Sequence, residues 1–360
     1  MEMKSNENID LLFEEAKALL KKLIRTPSIS REESKTADII EKFLSGKEIP
    51  VYRKDNNIWA YNKRFDSAKP TILLNSHHDT VKPNPGYQRD PYHAEEKEGK
   101  LYGLGSNDAG GCLVALLAAF LYYYEQQLNY NVCILASAEE EISGKNGIEM
   151  AYKEVEACEF AIVGEPTLLH LAIAEKGLMV LDCAVKGESG HAARDEGNNA
   201  IYEALSDLHW FKEFEFEKKS ALLGKVKMNV TLIESGTQHN VIPSLCKYVV
   251  DVRTTEMYSN EEVLEIIRKH VKADVIPRST RLSSSKIEPG HPIVLAGKKL
   301  GKKVYGSPTL SDQALLPIPS LKLGPGDSAR SHMADEFIFV KEIYDGVQFY
   351  IDILKPLLIN

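Results

Sequence analysis

The chain has 360 residues, of which 43% are hydrophobic and 27% are charged, and its formal net charge is −8 at pH 7. These are ordinary globular values, and they exclude a disordered chain, a collagen-like chain and a small disulfide-bonded scaffold. The acidic balance argues against a nucleic-acid-binding protein, which normally carries a basic excess. The length predicts about two domains.

The sequence favours a soluble protein of the reducing cytoplasm. Its longest apolar run is 112–124, which is shorter than the roughly 18 residues that a membrane span needs. The N-terminus lacks the basic and then apolar layout of a signal peptide. The five cysteines form no CxxC motif, so we expect buried free thiols. We therefore predict no membrane partner and no nucleic-acid partner.

The N-terminal segment predicts an amphipathic helix, because apolar residues recur at helical spacing. Asp10 is placed to cap its start, and Pro27 is placed to end it. The apolar stripe comprises Leu11, Leu12, Phe13, Ala16, Leu19, Leu20, Leu23 and Ile24. Ser30 and Glu33 then have the spacing of a capping box, which predicts the start of a second helix.

Short apolar runs follow at residues 71–74, 131–136 and 160–163. Runs of this kind are typical of strands that are buried on both faces of a parallel sheet. The apolar helical segment 112–124 lies between the first two runs, so strand and helix alternate along the chain. The sequence thus predicts an α/β fold, with a mostly parallel sheet and helices on both of its faces.

From about residue 177 the pattern changes to period-two alternation, which is typical of antiparallel strands with one covered face. The alternating segments are 181–186, 225–232 and 247–252, and the helical segments are about 198–211 and 259–271. Ser259 and Glu262 have capping-box spacing at the second helix. The order β-α-β-β-α-β predicts a ferredoxin-like α+β layer.

This change of pattern predicts two domains of different construction. The inserted α+β domain is expected at residues 177–284. It would interrupt a larger α/β domain made of residues 1–176 and 285–360.

Polar residues follow each buried run, at the strand ends where ligands bind in open α/β sheets. These residues are His77, His78 and Asp79 after the first run, Glu139 to Glu141 after the second, Glu165 after the third, and Asp108 just before the apolar helix. A single acid of this kind indicates a solvated loop or a helix cap. Several converging carboxylates would repel one another unless a cation lay between them. Imidazole and carboxylate ligands without cysteine suit zinc, cobalt or manganese, so we predict a divalent metal site.

Seven short motifs occur in order along nearly the whole chain, namely His77-x-Asp79-Thr-Val, Gly105-Ser-Asn-Asp108, Glu139-Glu140-Glu141, Val163-Gly-Glu165-Pro-Thr, Gly187-x-x-x-His191, Asn240-Val-Ile-Pro243 and Asp251-Val-Arg253. Taken together, these motifs resemble the M20 di-zinc peptidase and deacylase family. Within that family, the segment from Gly324 to His332, followed by Ala334-Asp335-Glu336, resembles the acetylornithine deacetylase branch. The resemblance assigns catalysis to the larger domain, and dimerisation and a lid to the inserted one.

The resemblance implies two divalent metal ions, with zinc first and cobalt as the alternative. Asp108 would bridge the two ions. His77 and Glu165 would complete the ligands of one ion, and Glu141 and His332 those of the other.

The resemblance also implies two catalytic carboxylates beside the metals. Asp79 would orient the metal-binding histidine from behind. Glu140 would act as the general base, which takes a proton from water and passes it to the leaving amine. The choice among the three consecutive glutamates rests on alignment through Gly144 and Gly147, and Glu139 stays open as the alternative.

Three residues of the inserted domain are implied as substrate contacts, namely His191, Asn240 and Arg253. The resemblance implies that His191 stabilises the tetrahedral oxyanion, commonly from a partner subunit, and that Arg253 binds the substrate carboxylate. Without the resemblance, His191 would be a polar turn residue and Arg253 an exposed strand position. A homodimer through the inserted domain follows from the same resemblance.

The implied activity is metal-dependent removal of the acyl group from an N2-acyl amino acid. N2-acetyl-L-ornithine, hydrolysed to L-ornithine and acetate in arginine biosynthesis, is the first candidate. N-acetylcitrulline, N-succinylornithine and a dipeptidase or aminopeptidase activity stay open, with a non-catalytic metal-binding protein last. Arg330 is a candidate contact for a substrate acid group. A dinucleotide site at Gly103-x-Gly105 is excluded, because the third glycine position of the motif is Asp108.

Overall fold

The computed structural model, which describes residues 2–359, has the mixed α/β architecture that the sequence predicts. The chain divides into two compact units. The larger unit comprises Met1–Ile173, Lys286–Tyr305 and Ser311–Asn360, and the smaller comprises Ala174–Ser285 and Gly306–Leu310.

The helices are α1 (Glu2–Ile24), α2 (Ser34–Ser45), α3 (Gly111–Tyr123), α4 (Ile148–Ala151), α5 (Ala200–Glu213), α6 (Asn260–His270), α7 (Pro292–Lys299) and α8 (Val340–Leu358). The strands are β1 (Tyr52–Lys54), β2 (Asn57–Tyr61), β3 (Thr71–His77), β4 (Glu96–Lys97), β5 (Lys100–Tyr102), β6 (Asn131–Ser137), β7 (Phe160–Val163), β8 (Leu171–Glu175), β9 (Gly177–Lys186), β10 (Gly190–His191), β11 (Lys227–Ser235), β12 (Val241–Ile242), β13 (Leu245–Thr254), β14 (Asp274–Pro277), β15 (Ser285–Lys286), β16 (Val304–Ser307), β17 (Ser320–Lys322) and β18 (Phe337–Phe339). Among residues 2–359, none of the helices combines the length and the apolarity that crossing a bilayer requires.

The main sheet has the strand order β1-β2-β6-β3-β7-β17-β8-β15, and β16 pairs with β8. Its central pairs, β6 with β3, β3 with β7 and β7 with β17, are parallel. The flanking pairs, β2 with β6 and β17 with β8, are antiparallel. The carboxyl ends of β3, β6 and β7 therefore lie at one edge of the sheet.

Alternate residues of β3 face two different hydrophobic clusters. Ile72 and Leu74 belong to the cluster that includes apolar side chains of α1, α3 and α8. Leu73 faces the opposite cluster, together with Ile148 and Ala151 of α4. The main sheet thus carries helices on both faces, as predicted.

The N-terminal helix begins earlier than the sequence suggests, so the predicted start at Asp10 is wrong. Helix α1 already begins at Glu2. Its buried stripe extends back to Ile9, which is 3% exposed, whereas Leu11 is 61% exposed. The polar residues that precede Ile9 carry no apolar stripe, and periodicity therefore gives no signal there.

Ser30 does not cap the second helix. Helix α2 begins at Ser34 after Glu33, and Glu33 makes no side-chain cap. The Ser30 hydroxyl donates instead to Asp79, at 2.7 Å.

The smaller unit contains a four-stranded sheet in the order β11-β13-β9-β14, with every pair antiparallel. Helix α5 lies between β9 and β11 in the chain, and α6 lies between β13 and β14. This is the ferredoxin-like order that the alternation predicts. The capping box of Ser259 and Glu262 is confirmed at the start of α6. Strands β11 and β14 form the two edges of this sheet.

Candidate metal centre

The strand ends of the main sheet bring imidazole and carboxylate groups together. His77 ends β3, Glu140 and Glu141 follow β6, and Glu165 follows β7. The candidate ligand atoms of His77, Glu140 and Glu165 all lie within 4.8 Å of one another. The same holds for His77, Asp108 and Glu141. The two triads share the imidazole of His77.

Asp108 lies between two imidazoles. Its Oδ1 atom is 3.3 Å from Nε2 of His77, and its Oδ2 atom is 3.6 Å from Nε2 of His332. Nε2 of His332 also lies 2.9 Å from Oε2 of Glu141. Nε2 of His77 lies 3.9 Å from Oε1 of Glu165. Each Asp108 oxygen thus faces a different imidazole, which is the arrangement that a carboxylate shared by two cations requires.

Two glycines allow the close backbone approach at this site. A Cβ on Gly164 would lie 2.7 Å from Cδ1 of Leu116 in α3 and 3.0 Å from Cβ of Ser76 in β3. Gly105 has a φ of +74°, in the left-handed region that favours glycine. The sequence Val163-Gly-Glu165 therefore brings β7 against α3 and β3 directly before its carboxylate.

Asp79 holds both the imidazole and the turn that carries the glutamates. Nδ1 of His77 lies 3.0 Å from the backbone oxygen of Asp79 and 3.5 Å from its Oδ1 atom. The Asp79 carboxylate also accepts the backbone N–H groups of Glu140, at 3.1 Å, and Glu141, at 3.2 Å. Since its fourth contact is the Ser30 hydroxyl, Asp79 connects three chain segments behind the candidate metal ligands.

The three consecutive glutamates have different surroundings. Glu139 has a φ of +56°, and its Oε1 atom accepts a hydrogen bond from Nδ2 of Asn146 at 3.0 Å. Oε2 of Glu140 lies 3.9 Å from Nε2 of His77. Glu141 instead contacts the imidazole of His332. Two of the three carboxylates thus join the candidate metal centre.

The crowded carboxylates are costly to ionise in this pocket. Burial, followed by the neighbouring Asp108 carboxylate, raises the pKa of Glu165 to about 8. Burial is also the main cause that raises the pKa of Glu140 and of Glu141. A bound divalent cation would remove this cost, because it stabilises the ionised form of each carboxylate.

The imidazoles respond to the same negative charge. The hydrogen bond to Glu141 raises the pKa of His332 to about 9. Burial opposes protonation of His77, yet hydrogen bonds to Asp108 and Asp79 raise its pKa above the usual value. The neighbouring carboxylates thus favour a positive charge at each imidazole, either a bound proton or a metal ion.

Asp312 and Glu336 join this region, although neither is among the residues predicted for the site. Oδ2 of Asp312 accepts hydrogen bonds from Ser137, at 2.6 Å, and from Asn75, at 2.9 Å. Ser137 ends β6, and Asn75 lies two residues before the end of β3. Burial raises the pKa of Asp312 to about 6. Glu336 accepts backbone N–H groups of the Asp108 loop. Glu336 belongs to the motif Ala334-Asp335-Glu336, whereas Asp312 belongs to no recognisable motif.

Arg330 is engaged within its own segment. Its guanidinium forms a 2.7 Å ion pair with Glu342 and lies 5.1 Å from the ring centroid of Phe337. It also donates to the backbone oxygen of Phe337. These contacts anchor the chain near His332 to α8. The Arg330 guanidinium, a predicted contact for a substrate acid group, is thus already paired with a protein carboxylate.

The three predicted substrate residues all lie in the smaller unit. His191 and Asn240 are exposed neighbours, and the backbone N–H of Ala192 donates to the backbone oxygen of Asn240 at 3.0 Å. Arg253 forms two hydrogen bonds with Asp251, at 2.9 and 3.0 Å. Its guanidinium therefore already binds a carboxylate of the protein itself.

The donor set fits divalent cations. Two imidazoles and four carboxylates converge, and such ligands suit zinc, cobalt or manganese. The five cysteines are free and buried, as predicted.

The fold and this donor set together define an α/β protein with a candidate site for divalent metal ions. Residues 73–355 match the sequence profile described as Peptidase family M20/M25/M40, and the chain belongs to this family of metal-dependent hydrolases of amide bonds. The predicted family and the predicted enzyme class are thereby confirmed.

The relatives of the chain include deacylases and peptidases. The chain is 29% identical to an acetylornithine deacetylase of Proteus mirabilis (strain HI4320), over 89% of this chain and 91% of that protein. It is 26% identical to a succinyl-diaminopimelate desuccinylase of Rickettsia bellii (strain OSU 85-389), over 74% of each chain. The crystal structure of aminopeptidase PepT from Bacillus cereus ATCC 10987 has a TM-score of 0.77 and 17% identity, over 95% of this chain and 97% of that one. This structural likeness concerns the fold alone.

Proposed function

We propose that the chain hydrolyses the amide of an N2-acyl amino acid, with N2-acetyl-L-ornithine as the first candidate. The products would be L-ornithine and acetate, which places the reaction in arginine biosynthesis. The observation that carries the reaction class is the cluster in which Asp108 faces both His77 and His332. The choice of substrate is supported by the 29% identity to the Proteus mirabilis protein.

The ligand assignment follows the contacts of Asp108. Asp108 would be shared by two ions, zinc first and cobalt as the alternative. One ion would be held by His77 and Glu165, and the other by Glu141 and His332. When bound, two such ions polarise the amide carbonyl and lower the pKa of water.

Glu140 is the proposed proton carrier. Its carboxylate takes a proton from the attacking water, whose oxygen bonds to the carbonyl carbon. The carbon–nitrogen bond then breaks, and the proton passes to the leaving amine. Its Oε2 atom lies 3.9 Å from Nε2 of His77, so the carboxylate stands beside the candidate ligands, and a carboxylate beside the attacking water can act as the general base.

Asp79 is proposed as the residue that sets this geometry. Through its contacts with His77 and with the backbone of Glu140 and Glu141, it fixes one imidazole and both glutamates. A contact of this kind behind a ligand typically changes metal affinity or activity 10- to 100-fold when it is removed.

His191, Asn240 and Arg253 are proposed as substrate contacts. Nδ1 of His191 accepts the N–H of Ala193 at 3.1 Å, so the neutral ring carries its proton on Nε2. That proton is suited to stabilise an oxyanion. Arg253 would bind the substrate carboxylate in place of Asp251, its present partner.

We also propose that the chain forms a homodimer through the segment predicted as an inserted domain, residues 177–284. The support is an apolar edge on its four-stranded sheet, where Leu232 is 61% and Ile233 53% exposed. Exposed apolar patches of this kind are typical of protein interfaces.

An N-succinyl amino acid is the second candidate substrate, because the chain is 26% identical to the Rickettsia bellii desuccinylase. Both candidates require the same bond cleavage and differ only in the acyl group. N-acetylcitrulline and dipeptides complete the set of substrates to be compared.

The test is amine release from N-acetylornithine, N-acetylcitrulline, N-succinylornithine and a set of dipeptides. Each assay is run on the protein as isolated, after chelation, and after zinc or cobalt is restored. We expect hydrolysis of an N-acyl amino acid that chelation abolishes and metal restores. Cleavage of dipeptides alone would move the function to the peptidases, and activity that survives complete metal removal would contradict the proposed mechanism.

A further inference from the structure

We propose that Glu336 is a positioning residue that fixes the backbone of Asp108 and joins it to the segment carrying His332. The inference rests on the proposed role of Asp108 and His332 as metal ligands. Glu336 itself faces backbone groups and is not one of the candidate ligands.

The Glu336 carboxylate receives three backbone hydrogen bonds from one loop. Its Oε1 atom accepts the N–H groups of Asn107, at 2.8 Å, and Asp108, at 3.0 Å. Its Oε2 atom accepts the N–H of Gly105, at 3.0 Å. The backbone oxygen of Glu336 also accepts the N–H of Gly103. Glu336 is only 2% exposed, so these bonds are shielded from water.

The loop needs an acceptor of this kind because its backbone is irregular. The turn Ser106–Gly110 precedes α3, and Asp108 itself has φ and ψ angles of −116° and 99°. The N–H groups of Gly105, Asn107 and Asp108 therefore find their acceptor in a side chain. A buried N–H without a partner is destabilising, and a carboxylate can accept several such donors at once.

Glu336 affects the candidate metal centre through the position of the Asp108 carboxylate. Asp108 presents one oxygen to each imidazole, so a small rotation of its backbone would move both contacts. Glu336 bonds the N–H of Asp108 itself, and it lies four positions after His332 in the sequence. One carboxylate thus connects the backbone of Asp108 with the segment that carries His332.

The neighbouring residue provides a matched control. Oδ1 of Asp335 accepts the N–H groups of Gln88, at 3.0 Å, and Arg89, at 2.9 Å. Asp335 therefore makes the same kind of contact from the same segment, but with a different loop. A glutamine at 336 would have a single acceptor oxygen and would present an NH₂ group to at least one N–H donor, whereas Asp335→Asn leaves the Asp108 loop untouched.

The experiment compares Glu336→Gln, Glu336→Asp and Asp335→Asn with the unaltered protein. Co²⁺ affinity is measured by calorimetric titration of the metal-free proteins, and the ligand geometry by the visible absorption of bound Co²⁺. We expect Glu336→Gln to weaken Co²⁺ binding about 10- to 100-fold and to change the absorption spectrum. Glu336→Asp, which keeps both oxygens, should fall between Glu336→Gln and the unaltered protein, and Asp335→Asn should match the unaltered protein.

Three outcomes would overturn the inference. One is a folded Glu336→Gln protein of lower thermal stability but unaltered Co²⁺ affinity and spectrum. Another is an equal change in Asp335→Asn, because the effect would then belong to the whole segment. If Glu336→Gln does not fold, a Glu336→Asp protein with unaltered affinity and spectrum is the third.

The inference and the proposed function fail separately. If the unaltered protein cleaves none of the N-acyl substrates but the Co²⁺ difference appears, the substrate proposal fails and Glu336 keeps its role. If the substrates are cleaved and the Co²⁺ difference is absent, only the role of Glu336 is lost.

Discussion

Glu139 and Glu140 are adjacent in the sequence, yet their carboxylates have different neighbours. The left-handed φ of Glu139 turns the backbone directly after β6. As a result, Glu139 contacts Asn146, while Glu140 approaches His77. This difference allows a test in which two substitutions of identical chemistry are made one residue apart.

We predict that Glu140→Gln lowers kcat about 10²- to 10⁴-fold, because the carboxamide side chain of glutamine cannot take up the proton of the attacking water. Glu139→Gln should leave kcat nearly unchanged. The measurement is steady-state kinetics on the best N-acyl substrate, together with the number of Co²⁺ ions bound per chain. The reverse order of the two effects would give the base role to Glu139, and loss of one Co²⁺ ion in Glu140→Gln would make Glu140 a ligand.

His78 lies beside His77, a proposed metal ligand, but has a structural environment. Its Nε2 atom lies 2.8 Å from the backbone oxygen of Asn56, so this nitrogen carries the proton. Its Nδ1 atom accepts a hydrogen bond from the hydroxyl of Thr36. Burial lowers the pKa of His78 to about 4. The folded protein therefore holds this ring neutral where the unfolded chain would protonate it.

We predict that His78 makes the fold sensitive to acid. As the pH falls from about 6.5 towards 4, the unfolded chain gains a proton on His78 that the folded protein does not, so the free energy of unfolding decreases. The difference reaches about 3 kcal/mol for a shift of this size. Denaturant unfolding of the chelated protein from pH 7 to 4.5 should show a smaller loss for His78→Gln than for the unaltered protein.

The exposed His93 supplies the control for this measurement. His93→Gln should lose stability with pH as the unaltered protein does. Parallel curves for His78→Gln and the unaltered protein would contradict the prediction.

At the residue scale, the sequence marks candidate site residues by the elements beside them. His77 and Glu165 follow apolar runs that predict parallel strands ending at one edge, and Asp108 precedes an apolar helix, whereas only the family resemblance points to His332. Glu336 accepts a hydrogen bond from Gly105, which lies 231 residues away in the sequence. Asp312 accepts one from Asn75, which lies 237 residues away. No local pattern records a contact over such a separation, and the residue type alone does not distinguish these acids from solvated ones.

At the scale of elements, Ser30 and Ser259 carry the same sequence signature but have different roles. Each serine stands three residues before a glutamate. At Ser259 the capping box forms, and the hydroxyl accepts the N–H of Glu262 at 3.0 Å. At Ser30 the hydroxyl donates to Asp79. The sequence signature is local, but the hydrogen-bond acceptor of Ser30 is Asp79, which lies in a distant segment of the chain.

We predict that Ser259→Ala lowers the free energy of unfolding by about 0.5–2 kcal/mol and leaves kcat unchanged, because α6 loses its cap. Ser30→Ala should have the opposite profile, with a small effect on stability and Co²⁺ affinity weakened up to about 10-fold through Asp79. Denaturant unfolding and Co²⁺ titration of both variants would check this. A stability loss in Ser30→Ala with unaltered Co²⁺ binding would show that Ser30 serves the fold alone.

Most long elements could be predicted because their own side chains specify them. The apolar segment 112–124 became α3 at Gly111–Tyr123, and the capped segment 259–271 became α6 at Asn260–His270. Strand β17 had no such signal. It has three residues, lies in a segment rich in glycine, proline and serine, and is stabilised by its parallel pairing with β7. Pairing partners, rather than local composition, define a strand of this length.

At the scale of the whole molecule, the two edges of the ferredoxin-like sheet allow a controlled test of self-association. Strand β11 forms one edge and exposes Leu232 and Ile233. Strand β14 forms the other edge and exposes Ile276, at 58%. An unpaired edge with apolar side chains is a surface on which a second chain can pair or pack. The proposed dimer assigns this role to β11.

We predict that the protein sediments as a dimer and that Ile233→Lys shifts it towards the monomer. Burying an unpaired ammonium at the interface should cost at least about 2 kcal/mol, which raises the dissociation constant about 30-fold or more. Ile276→Lys places the same charge on the opposite edge and should leave the dimer intact. A monomeric unaltered protein, or equal dissociation of both variants, would contradict the assignment of β11.

The kcat of the Ile233→Lys monomer would then locate the action of His191. If His191 reaches the active site of the partner subunit, dissociation should lower kcat in proportion to the fraction of monomer, and a higher protein concentration should restore it. If His191 acts within its own chain, the monomer should keep the kcat of the dimer. His191→Ala in the intact dimer supplies the reference, because it gives the kcat expected when the oxyanion contact is absent in either arrangement.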